Sequence, residues 1–352
     1  MSEAASSQLS TPLSTAAGYT GIGSVPGEDI ESAIAAVLDE SPRLAYLPEL
    51  PARGPGSDMI GRTLAAITSA VGDFGFDLQP SGWRLTARPG LDAARGAARL
   101  SEDIDGLIPY ADFDAALKTQ LMGPWTLAAQ VELPRGGRAL GDRGATRDIV
   151  AALEATAADH LSAVGTRVPR ATLVLQLDEP SLPRVVEGSI ATESGFGRIA
   201  AVPAQEVVDS LARVVAGARF PTAIHCCGHH PPLQLLADAG AAAVSFDASR
   251  LVTGESIDED LIGGLVERDV QLWLGVVPSL GPGVPPTPRS VADPVRRLWR
   301  ALGFGPERLA ASVVLTPTCG LAGASAGWAR ESMRVLRQAA RALSEGPDIL
   351  RS

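Results

Sequence analysis

Two of the chain's three cysteines and one of its four histidines fall within five residues, Ile224-His225-Cys226-Cys227-Gly228, after an apolar run that starts at Pro221. The third cysteine, Cys319, follows Ser312-Val-Val-Leu315 and precedes Gly320; between the two, Asp247 ends the run Val244-Ser-Phe246. Each residue stands where a short buried strand would run out into a loop. An imidazole, two thiolates and a carboxylate make a four-ligand set for zinc. His225 and Cys227 are two apart, so in extended chain their side chains leave on the same side. Cys226 then points the other way and reads as a small buried apolar residue. His229 and His230 lie further along the loop beside Pro231 and Pro232; exposure is expected for both, though either could compete as a ligand. Read without a metal, the same set is a pair of core cysteines, a surface carboxylate and an unrelated histidine, and no CxxC pairing is present to decide.

Zinc held by two thiolates and a carboxylate is already anionic and a poor Lewis acid for hydrolysis. Such a site suits binding a substrate thiol as a thiolate that stays nucleophilic at neutral pH. The carboxylate, as the harder ligand, is the one to yield its place. The chemistry indicated is S-alkylation.

The elements that must position these residues follow from the apolar pattern. Ala171–Leu177 runs to Asp178-Glu179-Pro180, Thr222–Ile224 to His225, Ala242–Phe246 to Asp247, Val270–Leu274 to Gly275, and Ala311–Leu315 to Thr316 and Cys319. Earlier, Gly18–Ser24 is a short strand ending in a Gly-rich loop, Arg43–Leu47 a second strand, and Gln120–Pro124 a strand end. The segment from Asp73 to Arg88 reads as a hairpin. Helical periodicity separates them: Ile30–Leu38 behind an Asp29 cap, a helix opened by Ser57-Asp58, and Ala145–Val164; then Ala204–Ala216, Pro232–Ala239, Asp258–Glu267, Val291–Leu302 and Trp328–Leu343. Strand then helix, about eight times over, is parallel α/β architecture. Polar residues recurring at the carboxyl ends of many strands favour a single closed (β/α)8 TIM barrel over residues 20–352, since a barrel gathers those ends at one mouth.

Length and composition agree: 352 residues at 45% hydrophobic suffice for one large core. A net charge of −10 argues against a nucleic-acid partner. Three cysteines, two of them adjacent, do not form a disulfide framework, so a reducing, cytoplasmic setting is expected. Residues 1–19 are rich in Ser, Ala and Thr, without a basic start or apolar core. They read as a disordered tail and not a signal peptide. No apolar run reaches membrane-spanning length. Lys118 is the sole lysine among many arginines, which reads as compositional bias. Gly21, Gly23 and Gly27 do not make a dinucleotide fingerprint, and Asp73-Phe74-Gly75 lacks the other kinase motifs.

Seven motifs occur in order: Ile22-Gly23-Ser24, Gln79-Pro-Ser-Gly82-Trp83, Leu121-Met-Gly123-Pro-Trp-Thr126, Gln176-Leu-Asp178-Glu179-Pro180, His225-Cys-Cys227, Asp247-Ala-Ser-Arg250 and Thr318-Cys319-Gly320-Leu321. Together they resemble the C-terminal catalytic barrel of the cobalamin-independent methionine synthase family, in a short single-barrel form. The resemblance implies zinc held by His225, Cys227, Asp247 and Cys319, joined by homocysteine as a thiolate that is methylated to methionine. It implies that Asp178 pairs with the substrate ammonium, and that Gly23 and Ser24 offer N–H and hydroxyl groups to its carboxylate. Three departures qualify it. Asp247 stands where the family has Glu, Gly61 replaces a Glu that contacts the amine, and Leu280 falls near a proton-relaying His. The family's N-terminal barrel, which helps hold folate, has no counterpart here, so the methyl donor is open between a folate and a corrinoid or corrinoid protein. The same chemistry on another small thiol, a metal-free tetrapyrrole decarboxylase-like barrel, and a non-catalytic barrel with a structural zinc are the rival readings.

Overall fold

The computed structural model describes residues 18–72, 74–254, 257–281 and 286–345. Its frame is an eight-stranded parallel sheet ordered β1-β10-β9-β8-β7-β6-β5-β2. The strands are β1 (Gly18–Tyr19), β2 (Leu44–Tyr46), β5 (Ala116–Met122), β6 (Thr172–Asp178), β7 (Thr222–Cys226), β8 (Ala243–Asp247), β9 (Gln271–Val277) and β10 (Val313–Pro317). β3 (Gly75–Gln79) and β4 (Gly82–Thr86) form the expected hairpin outside the sheet. The barrel closes between its two edges just past the ends of β1 and β2. There Glu49 N–H donates to Gly23 O at 3.1 Å and Val25 N–H to Glu49 O at 2.9 Å.

Two expectations shift at their boundaries. The tail expected over 1–19 gives up Gly18 and Tyr19 to β1, because both pair in register with Val314 and Leu315; residues 1–17 lie outside the described set, as does Asp73. The last strand begins at Val313, since Ala311 and Ser312 finish a short helix, Pro306–Ser312, started by a proline at its first turn.

Helices fill the connections. Asp29 caps Ile30–Glu40 (α1) by accepting from Glu31 and Ser32 N–H, and Asp58 caps Met59–Val71 (α2) by accepting from Ile60 and Gly61 N–H. The longest helix not foreseen is Leu91–Asp105 (α3). Pro124–Gln130 (α4) and the long Arg143–Gly165 (α5) follow. Among the described residues no helix is long and apolar enough to cross a membrane.

Strand alternation sorts the barrel interior into layers. At the amino end, Leu44, Ala116, Val174, Ala223, Ala243, Trp273 and Val314 form a separate buried apolar cluster that plugs the barrel. Two residues further along the same strands stand Tyr46, Lys118, Gln176, His225, Ser245, Gly275 and Thr316, a layer that is polar and almost wholly buried. Beyond it the strands open at the mouth with Gln120, Asp178, Cys227, Asp247 and Thr318. The plug supplies apolar burial, and the polar layer above it calls for hydrogen-bond partners or ligands.

His160 on α5 closes one outer contact of the frame: its Nε2 lies 2.8 Å from Thr119 Oγ1, and the ring is 5% exposed. Burial, with Arg62 nearby, pushes its pKa down to about 3. The unfolded chain therefore takes up a proton near pH 6.5 that the folded chain refuses. This lowers stability by up to about 5 kcal/mol as pH falls from 6.5 towards 3. His160→Gln should flatten that part of the pH dependence. Urea unfolding at pH 7 and pH 4 checks it, and equal losses in both proteins would clear His160 of the effect.

Candidate metal centre and substrate mouth

β7 brings His225 inward and ends so that Cys227 follows on the same side; Cys226, facing outward, is fully buried among the helices. Gly228 then packs against the backbone of Pro180 and the ring of Pro183, leaving no room for a side chain and fixing where Cys227 sits. Cys319 arrives from β10 through a register shift between Thr316 and Pro317. Gly275 makes that path possible: a Cβ there would meet Thr318 Cα and Phe246 O, each at 2.8 Å.

The result is a compact donor set. One ligand atom from each of His225, Cys227 and Cys319 lies within 4.8 Å of the others, and the two sulfurs are 3.3 Å apart. Ser245 of β8 faces His225 Nδ1 at 2.9 Å, which fixes the ring from behind. His225 Nε2, buried, has no hydrogen-bond partner among the described residues. A buried imidazole nitrogen left bare beside two sulfurs fits a divalent ion of the zinc type, and its hydroxyl-anchored Nδ1 is how a ligating histidine is normally held. Without metal the two thiols share a proton. The hydrogen bond from Cys227, with His225 close by, pulls Cys319 down to about 4, while the same bond, together with burial, pushes Cys227 up. His229 and His230 are exposed and stack edge-on with each other at 4.5 Å.

The fourth expected ligand, Asp247, is not part of this group. It is exposed at the mouth, and its Oδ1 accepts from Ser249 N–H at 2.8 Å, turning the carboxylate to the start of the short helix that follows.

Asp178 lies where the ends of the strands predict, 5% exposed, with Gln176 Nε2 donating to it at 2.7 Å. Its register partner on β7 is His225, so it stands beside the donor set. Burial and the charge of Glu49 hold its pKa well above the ordinary value. Glu179 does something else: its Oε1 accepts from Trp125 N–H at 2.9 Å and its Oε2 from Thr126 N–H and Oγ1 at 2.7 Å each, so it caps α4, the helix after the neighbouring strand. Gly23 and Ser24 form the barrel closure, and a side chain at Gly320 would collide with Ser24 Oγ, so that hydroxyl lies next to Cys319's neighbour. Gly23-Ser24, Asp178 and the donor set therefore share one mouth.

The two remaining departures are also resolved. Gly61 cannot carry a side chain, because a Cβ would lie 2.6 Å from Gly56 Cα and 2.8 Å from the Trp83 ring. Leu280 is 62% exposed on the rim.

Three buried residues beneath the mouth went unread in the sequence. Lys118 is fully buried, donates to Ile22 O at 2.6 Å and lies 5.1 Å over the Tyr46 ring. Burial drives it down to about 7 against the pull of Asp178 and Glu49. Glu49 and Ser245 complete the set. Only Lys118 carried a signal: it is the one lysine in a chain that elsewhere uses arginine.

Comparison with known proteins agrees with this geometry. A family model described as the catalytic domain of cobalamin-independent synthase matches residues 111–342. Among solved structures, the chain is similar to a B12-independent methionine synthase from Shewanella sp. W3-18-1 in complex with selenomethionine. The TM-score is 0.60 at 12% identity, covering 96% of this chain and 100% of that chain, a likeness of fold. A phosphonopyruvate hydrolase shares 12% identity over 91% of this chain and 88% of its own, but its TM-score of 0.30 supports no argument. No curated protein matches the chain. With the matched span running from the approach to β5 through the final helix, well over half of the molecule, the chain belongs to the cobalamin-independent synthase catalytic-domain family.

Proposed function

We propose that this protein is a zinc-dependent methyltransferase that activates a small thiol, homocysteine by preference, and methylates it to give methionine. The observation that carries the reading is the compact triad of His225, Cys227 and Cys319, with the buried His225 Nε2 bare among the described residues and its ring held by Ser245. These three residues would hold zinc, and zinc, when bound, supplies the positive charge that lets a thiol ionise at neutral pH and remain nucleophilic. Asp247 is the proposed fourth ligand. It follows Ser245 by two residues in β8, on the same side of the strand, and would have to leave Ser249 N–H to serve. Asp178 would hold the substrate ammonium, and the Gly23-Ser24 turn its carboxylate, which together orient the thiol towards the donor set. The methyl donor, a corrinoid, a corrinoid protein or a methylated folate, would approach from the open mouth.

Titration calorimetry of homocysteine into zinc-loaded protein, in buffers of different ionisation enthalpy, should show about one proton released per thiol bound near pH 7. Metal-stripped protein should show none. Equal binding without metal overturns the mechanism. Parallel incubations with methylcobalamin and methylated folate then assign the donor.

A further inference from the structure

Three side chains converge on one backbone oxygen beneath the mouth. Lys118 Nζ from β5 donates to Ile22 O at 2.6 Å, Gln176 Nε2 from β6 at 2.8 Å, and Gln120 Nε2 from β5 at 3.3 Å. A carbonyl only accepts, so both amide nitrogens must face it. All three residues are buried, Lys118 completely, and Asp178 and Glu49 supply its countercharge. A carbonyl oxygen has two lone pairs, so a third donor exceeds what satisfying it requires. The three together hold this peptide unit against rotation.

The consequence falls on the other side of the same peptide. The Ile22–Gly23 bond is trans and planar, so its N–H points opposite to its C=O. With Ile22 O fixed on the polar layer, Gly23 N–H is turned away from that layer. Gly23 is buried, yet neither its N–H nor that of Ser24 donates to an acceptor among the described residues. Buried backbone N–H groups are almost always paired, so a bare one at Gly23 calls for an acceptor from outside. Glycine is also what lets the three donors close in: a Cβ at Gly23 would lie 2.7 Å from Gln120 Nε2.

We infer that Lys118 is a positioning residue: with Gln120 and Gln176 it clamps Ile22 O, so that Gly23 N–H is presented at the mouth to the carboxylate of an amino-acid thiol. The inference rests on the thiol-binding reading above and adds to it the side chains that aim the turn. It also accounts for the one lysine in a chain that otherwise uses arginine. An ammonium is compact enough to share a single carbonyl with two amides. A guanidinium is a flat fork of five N–H donors and would displace them.

Calorimetry on the zinc-loaded full chain tests this with L-homocysteine and 3-aminopropane-1-thiol, the same aminothiol without its carboxylate. Wild type should prefer homocysteine. Lys118→Met keeps the reach of the side chain and removes the donor. It should weaken homocysteine binding about 10- to 100-fold, the worth of a hydrogen bond to a charged group. Zinc content and affinity for 3-aminopropane-1-thiol should not change. A merely structural role would weaken both thiols alike; that outcome, or no loss for either, overturns the inference. Should Lys118→Met not fold, Gln120→Met gives the reading without a change of charge: a smaller loss, confined to homocysteine, with equal or absent losses again overturning the clamp. Wild type that binds the two thiols equally overturns the clamp while leaving thiol binding intact. Wild type that binds neither overturns this inference together with the proposed function.

Discussion

Replacing Cys319 with serine should strip the protein of its metal. The donor set has three protein atoms within 4.8 Å of one another, and a serine hydroxyl at neutral pH is no substitute for a thiolate towards zinc. Loss of a partner that merely orients a ligand costs about 10- to 100-fold in metal affinity, so loss of a ligand itself should exceed about 100-fold. Ser245→Ala, which removes the hydroxyl 2.9 Å from His225 Nδ1, should fall inside the lower range. Cys226→Ser is the internal control, because that thiol is fully buried on the other side of β7 and pushed up to about 12 by burial, where it cannot serve as a thiolate. Competition against a chromophoric chelator, with total zinc measured after dialysis, separates the three. A Cys319→Ser protein that holds zinc as tightly as wild type would mean that the triad is a cluster of core residues.

The parts of this arrangement that could be read from sequence are those set by local chemistry. Asp29 and Asp58 were legible as helix caps because a cap is decided within three residues, and each accepts the two N–H groups expected of it. Strand alternation was enough to put His225 and Cys227 on one side and Cys226 on the other. α3 was missed for a physical reason: its buried face is made of Ala93, Gly96, Leu100, Asp103 and Ile104, and Gly96 sits where a Cβ would come within 3.2 Å of Ala65 Cβ on α2, whereas larger residues would have shown a clear apolar stripe. Asp247 shows the limit of spacing arguments. Parity places it on the side of Ser245, but the direction of its carboxylate is set by a competing backbone N–H two residues away. The buried charges were hidden more deeply. Lys118 and Asp178 come from β5 and β6 and Glu49 from just past β2, and Lys118 is held by Ile22 O, 96 residues away, so nothing near Lys118 in the sequence marks it as buried.

Glu179→Ala should be among the most damaging single substitutions outside the metal ligands. The carboxylate is fully buried and serves three donors at the start of α4, Trp125 N–H, Thr126 N–H and Thr126 Oγ1. A helix beginning has no backbone acceptors of its own for these groups, and Gly123 stands where any side chain would collide with the Glu179 carboxylate. Truncation leaves the donors buried and unpaired, at about 1–3 kcal/mol for each of the two backbone groups, with a cavity term besides; a total of about 3–6 kcal/mol follows. Glu179→Gln should cost less, because it keeps the volume and one acceptor. It also mimics the protonated acid, a form made accessible near neutrality by burial, which lifts this carboxyl to about 7 against the three donors. Denaturant unfolding of the metal-free proteins measures the effect apart from zinc; a loss under about 1 kcal/mol for the alanine variant would show that water satisfies the helix start instead. The consequence should extend to the centre itself. Glu179 N–H donates to His225 O at 2.7 Å and its chain neighbour is Asp178, so the cap ties His225 and Asp178 to one helix end. Slack introduced there should weaken zinc binding in a protein whose His225, Cys227 and Cys319 are all untouched.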